Sequence, residues 1–267
     1  MPNDTPPNPE AIAEATNFLR EVLQRIDRTE GNQQKLFEFF KANLERLDDE
    51  ALLSAIPFIF AELTAKESTQ RAAGFLILLN LFRRMFKKSR QDIAADFNSL
   101  GIYFNEFPLG NRALNQELSI AAYQAALQVR TREAFPQNWA MTQNNLGNAY
   151  KNRIRGERAD NLERAIDAYQ AALQVRTREA FPQDWAMTQN NLGNAYGNRI
   201  RGERADNLER AIDAYQSALQ VYTREAFPQQ WAMTQNNLGT AYKNRIRGER
   251  ADNLERAIDA YQSALQV

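Results

Sequence analysis

The 267-residue chain has no cysteine and no histidine. Without them it can form no thiolate nucleophile, imidazole base, disulfide, or zinc site built on Cys or His ligands. Serine–histidine and cysteine–histidine hydrolysis are excluded within this sequence, as is pH sensing by imidazole. Long apolar runs are missing too. The most hydrophobic stretch, residues 72–82, is interrupted by Asn80 and is too short to span a bilayer. Neither sign of charge dominates, with 33 basic against 33 acidic side chains. That balance argues against nucleic-acid binding by bulk electrostatics. The opening Met-Pro-Asn-Asp-Thr-Pro-Pro-Asn-Pro lacks a basic and then an apolar segment, so it does not read as a signal peptide. The expectation is a soluble, cytoplasmic protein with no cofactor and no metal, and with a 43% hydrophobic content sufficient for a core.

What is present is repetition. Trp139, Trp185 and Trp231 stand 46 residues apart. Segments 139–184 and 185–230 differ at four positions, Lys151/Gly197, Ala171/Ser217, Arg176/Tyr222 and Asp184/Gln230. Residues 231–267 repeat most of the same text. A degenerate copy occupies 93–138, where Asn98, Leu100, Gly101 and Phe104 align with Asn144, Leu146, Gly147 and Tyr150. Each unit reads as two helices. Trp139, Leu146, Ala149 and Tyr150 share one face of the first, with Pro136 just ahead, where a missing N–H costs little. Gly147 falls mid-helix, a placement that costs about 1 kcal/mol against Ala and that predicts close approach of a neighbouring helix. After a loop over 153–159, the second helix is expected to open at Asp160, with Glu163 completing a capping box. Its apolar stripe is Leu162, Ala165, Ile166, Tyr169, Ala172 and Leu173. One hairpin cannot bury both stripes, whereas stacked copies can. The fold class is therefore all-α, an α-solenoid of period 46 with an N-terminal helical cap.

Leu146-Gly147 with Tyr150, followed by Ala165, Tyr169 and Ala172, resembles the tetratricopeptide repeat signature, with extra residues in the turn and between units. The stretch Pro-Gln-Asp-Trp-Ala-Met-Thr-Gln-Asn-Asn-Leu is similar to the long repeats of kinesin light chains. The run from Phe107 to Asn115 and the Thr-Arg-Glu-Ala-Phe-Pro-Gln units resemble cyanobacterial arrays that precede a caspase-like CHAT domain. That resemblance covers the array and its lead-in alone, and it implies a role in signalling.

Residues 1–9 are expected to be a disordered tail and 10–91 a helical capping domain, with the solenoid over 92–267. Within the cap, Ile12, Leu19, Val22, Leu23 and Ile26 mark one amphipathic helix, and Leu36, Phe37, Phe40, Leu44 and Leu47 a second. A third helix is expected over 49–63, interrupted at Pro57, and a fourth over 68–88. A basic cluster, Arg83, Arg84, Lys87, Lys88 and Arg90, is either a solvated helix end or a patch for an acidic partner.

With the core faces assigned, the other side of each first helix is free. Met141, Asn144, Asn145, Asn148, Lys151, Asn152 and Arg155 project there, repeated as Met187, Asn190, Asn191, Asn194, Gly197, Asn198 and Arg201. The third copy is Met233, Asn236, Asn237, Thr240, Lys243, Asn244 and Arg247. The tetratricopeptide resemblance implies that this helix lines a concave surface, and hence an asparagine-lined trough. A side-chain amide offers both donor and acceptor, so a row of them suits an extended peptide backbone. The lysine/arginine clamp that some tetratricopeptide proteins use for C-terminal carboxylates is not reproduced. The same asparagines could instead solvate a polar face or bond between adjacent units. The loop arginines Arg153, Arg155 and Arg158, beside Glu157 and Asp160, are expected to form surface ion pairs.

An enzyme needs a single asymmetric constellation, whereas here Glu163, Asp167 and their copies recur on what reads as an outward face. The expectation is a non-catalytic scaffold for a partner peptide or protein, or else the recruiting arm of a larger protein whose effector domain is absent. The second helix of the last unit leaves its apolar face open, so the expectation at that end is either a continuing chain or end-to-end self-association.

Overall fold

The computed structural model describes residues 8–28, 90–106 and 112–267. Among them are nine α-helices and no strand. They are α1 (Pro9–Arg28), α2 (Arg90–Glu106), α3 (Arg112–Leu127), α4 (Pro136–Asn152), α5 (Arg158–Leu173), α6 (Pro182–Asn198), α7 (Arg204–Leu219), α8 (Pro228–Asn244) and α9 (Arg250–Ala264). The chain divides into two compact parts, Met1–Ala122 and Tyr123–Val267.

In the first part, α1 covers the first expected amphipathic helix and buries Ala15, Thr16 and Phe18. The three further helices expected over 36–88 and the basic cluster up to Lys88 lie outside the described residues, as does the segment 107–111. In the degenerate copy, the Ser119 hydroxyl donates to the carbonyl of Gly101 at 2.8 Å. That bond draws α3 onto α2 at the glycine that aligns with Gly147.

The second part is the array. Each first helix packs on the second helix of its own unit, and that second helix packs on the first helix of the next unit. Pro136, Pro182 and Pro228 occupy the first helical turn, as the sequence predicts. The tyrosine ring of the partner helix closes on each mid-helix glycine. A Cβ on Gly147 would lie 2.6 Å from Cε1 of Tyr169, and one on Gly193 equally near Tyr215. Only a residue without a side chain lets the ring come this close to the helix backbone.

The turn between the two helices follows from one buried amide. Asn161 donates from Nδ2 to the Arg155 carbonyl at 2.8 Å, and its Oδ1 accepts from Arg153. Asn207 and Asn253 repeat the bond to Arg201 and Arg247. Gly156, Gly202 and Gly248 take φ of 75–79° to complete the reversal, a region L side chains rarely enter.

The expected capping box is not formed. Helix α5 starts two residues earlier than predicted, at Arg158, with Glu157 at the N-cap and no side-chain cap bond. Asp160 and Glu163 are drawn instead to arginines of the following unit. A guanidinium offers these carboxylates a full opposite charge as well as N–H donors, and for Glu163 two parallel bonds, more than a single backbone N–H at a helix start provides.

Candidate interaction faces of the repeat array

Two surfaces emerge from this packing: the junction between successive units and the free face of each first helix. At the junction, Arg199 reaches back one unit to Glu163 as a bidentate pair, Nε to Oε1 at 2.8 Å and Nη2 to Oε2 at 2.6 Å. Arg245 holds Glu209 in the same way, at 2.8 Å for both bonds. Arg201 pairs with Asp160 and Arg247 with Asp206. The sequence places these arginines and carboxylates in one surface cluster per unit; the structure makes them the cross-link between units. Glu163 therefore does not lie on a free outward face. Its side chain and that of Arg199 are each only 22% exposed. The hydrogen bond to Arg199, more than its charge, holds the Glu163 carboxyl below the ordinary glutamate range, and Arg245 does the same for Glu209.

The asparagines divide between the two surfaces. Asn144 and Asn190 are buried, at 2% and 3% exposure, while Asn236 is exposed. Asn191 donates from Nδ2 to Oδ1 of Asn144 at 3.2 Å, and Asn237 does so to Asn190. Both bonds cross the unit junction, so Asn144 and Asn190 stand behind the free face. Asn148 and Asn194 accept at Oδ1 from the phenols of Tyr169 and Tyr215, at 2.7 and 2.9 Å. Burial pushes both phenols above their ordinary pKa, so each remains a neutral donor. Thr240 takes the corresponding place opposite the Tyr261 hydroxyl, at 3.1 Å.

What remains accessible is a narrower stripe. Met187 and Met233 are 36% and 51% exposed, with Met141 half-buried. Asn145, Asn191 and Asn237 are half-buried, and Asn152, Asn198 and Asn244 are exposed. Lys151 is half-buried and Lys243 exposed. Burial and the nearby Arg158 charge lower the pKa of the Lys151 ammonium. Gln137, Gln183 and Gln229, one turn before each methionine, are exposed on the same side. Their i−4 spacing from the methionines is the sequence signal of that shared side. Among the described residues no group of three or more acidic, His or Cys side chains could hold a metal ion, and no helix is long and apolar enough to cross a membrane.

Stacked two-helix units joined by a repeating junction define a helical-repeat solenoid. The particular repeat is tetratricopeptide: the family model for that repeat matches residues 139–179, 185–224 and 231–266, and these segments are tetratricopeptide repeats. Among solved structures the chain is similar to BtubC (BKLC) from P. vanneervenii, at 19% identity and a TM-score of 0.54. That match covers 96% of this chain and 89% of the other, a likeness of fold. No curated protein matches the chain. Arrays of this repeat are in general protein–protein interaction scaffolds and in general non-catalytic.

Proposed function

We propose that the chain is a non-catalytic scaffold that holds an extended segment of a partner protein along the free face of α4, α6 and α8. The observation that carries this reading is the recurrence of an accessible Met/Asn stripe on successive first helices, at one register, with Asn198 and Asn244 each donating to a carbonyl one turn back in the same helix. Asn148 and Asn194 have their oxygens engaged by tyrosine, so their N–H groups are the ones left for a ligand carbonyl. Asn191 and Asn237 use an N–H on the preceding unit, so their oxygens are left for a ligand N–H. Donor and acceptor, three residues apart on one helix, suit the alternating groups of a peptide backbone, while the methionines adapt to varied side chains.

The test is a random peptide library selected on the intact chain. Peptides so obtained are expected to lose affinity by about tenfold or more for the variant Met141→Lys/Met187→Lys/Asn198→Ala. They should keep it for Arg178→Ala/Arg224→Ala, which removes the bonds from the inter-unit connections to Gln220 and Gln266 instead. Equal affinity for the first variant would falsify the assignment.

A second reading is favoured by the wording of the Thr-Arg-Glu-Ala-Phe-Pro-Gln units, which resembles arrays preceding a caspase-like domain. In it, the same face recruits a partner to an effector domain on a longer form of the protein. Sequencing the native reading frame past Val267 decides it: a frame without such a domain removes this reading.

A further inference from the structure

Arg130, Arg176 and Tyr222 hold one position in successive units, in the connection that leads into the next first helix. Arg130 and Arg176 are each 4% exposed. Both are anchored alike. Nη1 donates to the hydroxyl of Thr142 or Thr188 at 3.0 Å, and that hydroxyl donates to a carbonyl one turn back, of Asn138 or Asp184. Their counter-charges differ. Arg176 has the Asp184 carboxylate 3.5 Å from Nη2, whereas position 138, the equivalent of 184, is an asparagine. In the third unit Tyr222 and Gln230 remove both charges. Arg130 therefore keeps a buried guanidinium whose Nε has no hydrogen-bond partner. Burial lowers its pKa below the ordinary arginine value, and among the described residues no carboxylate acts the other way, as Asp184 does for Arg176.

A buried guanidinium without a counter-charge is destabilising, because it has lost its water and gained no opposite charge. The following unit shows the geometry that removes this cost. There a carboxylate approaches from the solvent side, for the Asp184 side chain is 50% exposed while that of Arg176 is 5% exposed. Asp184 also lies in the first turn of α6, where the helix dipole favours negative charge, and α4 has no acidic residue in its first turn. We propose that Arg130, with Asn138 and the first turn of α4, forms a binding site for one carboxylate supplied from outside the chain, at the place that Asp184 fills from within. The carboxylate pairs with the Nε and Nη2 groups of Arg130, the edge that the bond to Thr142 leaves unused. The Asn138 amide donates an N–H to the same anion, which an aspartate at that position could not do. Arginine offers donors and no acceptor, so a cationic or donor-only ligand is rejected. This site is separate from the Met/Asn stripe and does not depend on it.

The experiment follows the Nε–Hε magnetic resonance signal of Arg130 in the isotope-labelled full chain, identified by its loss in Arg130→Tyr/Asn138→Gln. Potassium acetate replaces potassium chloride at constant ionic strength, and a saturable shift of this signal is expected. Asn138→Asp supplies the carboxylate from within, so it should abolish the acetate response and raise the thermal midpoint by about 2–4 °C. Both variants reproduce residue pairs that other units of the chain already hold, Arg176 with Asp184 and Tyr222 with Gln230, and so are expected to fold. A second titration uses the end-capped peptide Ala-Ala-Glu-Ala-Ala and its counterpart with Gln in place of Glu. Binding tighter than acetate, and lost with Gln, assigns the carboxylate to an acidic side chain of a protein partner. Acetate binding that the Glu peptide does not exceed assigns it to a free small acid. A signal moved by neither acetate nor the Glu peptide overturns the proposal. So does an acetate response that survives in Asn138→Asp, or a lower midpoint for that variant.

Discussion

Tyr169 leaves no room for a Cβ at Gly147, and glycine is required there by space, not by backbone dihedral. Gly147→Ala gains about 1 kcal/mol in helix propensity but drives a methyl into a fully buried ring. The expected net effect is a loss of about 1–3 kcal/mol by denaturant unfolding. Gly239→Ala meets Tyr261 at 2.9 Å and the Ala257 carbonyl oxygen at 3.1 Å; the ring is only half-buried and can yield, so the backbone oxygen is the remaining obstacle. A smaller loss is expected there, and equal losses at the two sites would contradict the steric account. The close approach at Gly147 was legible in the sequence, because a mid-helix glycine needs a compensating contact. The task of Asn161 was not. Nothing in its spacing distinguishes an asparagine that holds a turn from one that faces solvent, since the deciding groups are carbonyls placed by the reversal itself. Asn144 and Asn148 are likewise the same residue type one turn apart, one buried against the next unit and the other bonded to a tyrosine.

At the scale of the helix, the pattern Asp160-x-x-Glu163 reads locally as a cap, but a long-range partner takes both carboxylates. Local reading fails here because capping patterns describe one chain segment, and the competing arginines lie about one repeat further along. The consequence is measurable in acid. Glu163 and Glu209 have folded pKa values below the ordinary glutamate range. Their contribution to stability is therefore complete above the unfolded-state pKa, near about 4.3, and is lost as pH falls through the lower folded values. The double variant Glu163→Gln/Glu209→Gln should show a flatter acid limb in a stability–pH profile. At neutral pH each substitution is expected to cost about 1 kcal/mol or less, because the pairs are partly open to solvent. Glu255→Gln, at the exposed equivalent, should leave unfolding unchanged within about 0.5 kcal/mol. A loss at Glu255 as large as that at Glu209 would show that the junction pairs are not the cause. The differing positions also make sense between helices. Arg176 is buried against Thr188 at 3.0 Å and near Asp184 at 3.5 Å. Where Tyr222 replaces that arginine, Gln230 replaces the aspartate, so the charge and its partner are exchanged together.

Across the whole array, stability in a solenoid is a sum of unit terms and junction terms. Helices α7 and α9, with one sequence in two settings, separate those terms. Amide hydrogen exchange should show lower protection through α9 than at the matching positions of α7, by about tenfold or more, since only α7 is covered on both sides. Equal protection would mean that the unit, not the junction, sets the opening free energy. The periodic text of 46 residues fixed the helix pairs, their apolar faces and the choice of a solenoid, because hydrophobic periodicity and proline placement act within a few turns of one chain. The open apolar face of the last unit was legible too, but only the tertiary structure decided which polar residues each junction takes and so which copies of them are buried or paired. Asn190 and Asn236, Leu208 and Leu254, Glu209 and Glu255 are equivalent in sequence and differ in exposure. The reason is that burial and pairing at a junction depend on a neighbour 46 residues away, which no local pattern specifies.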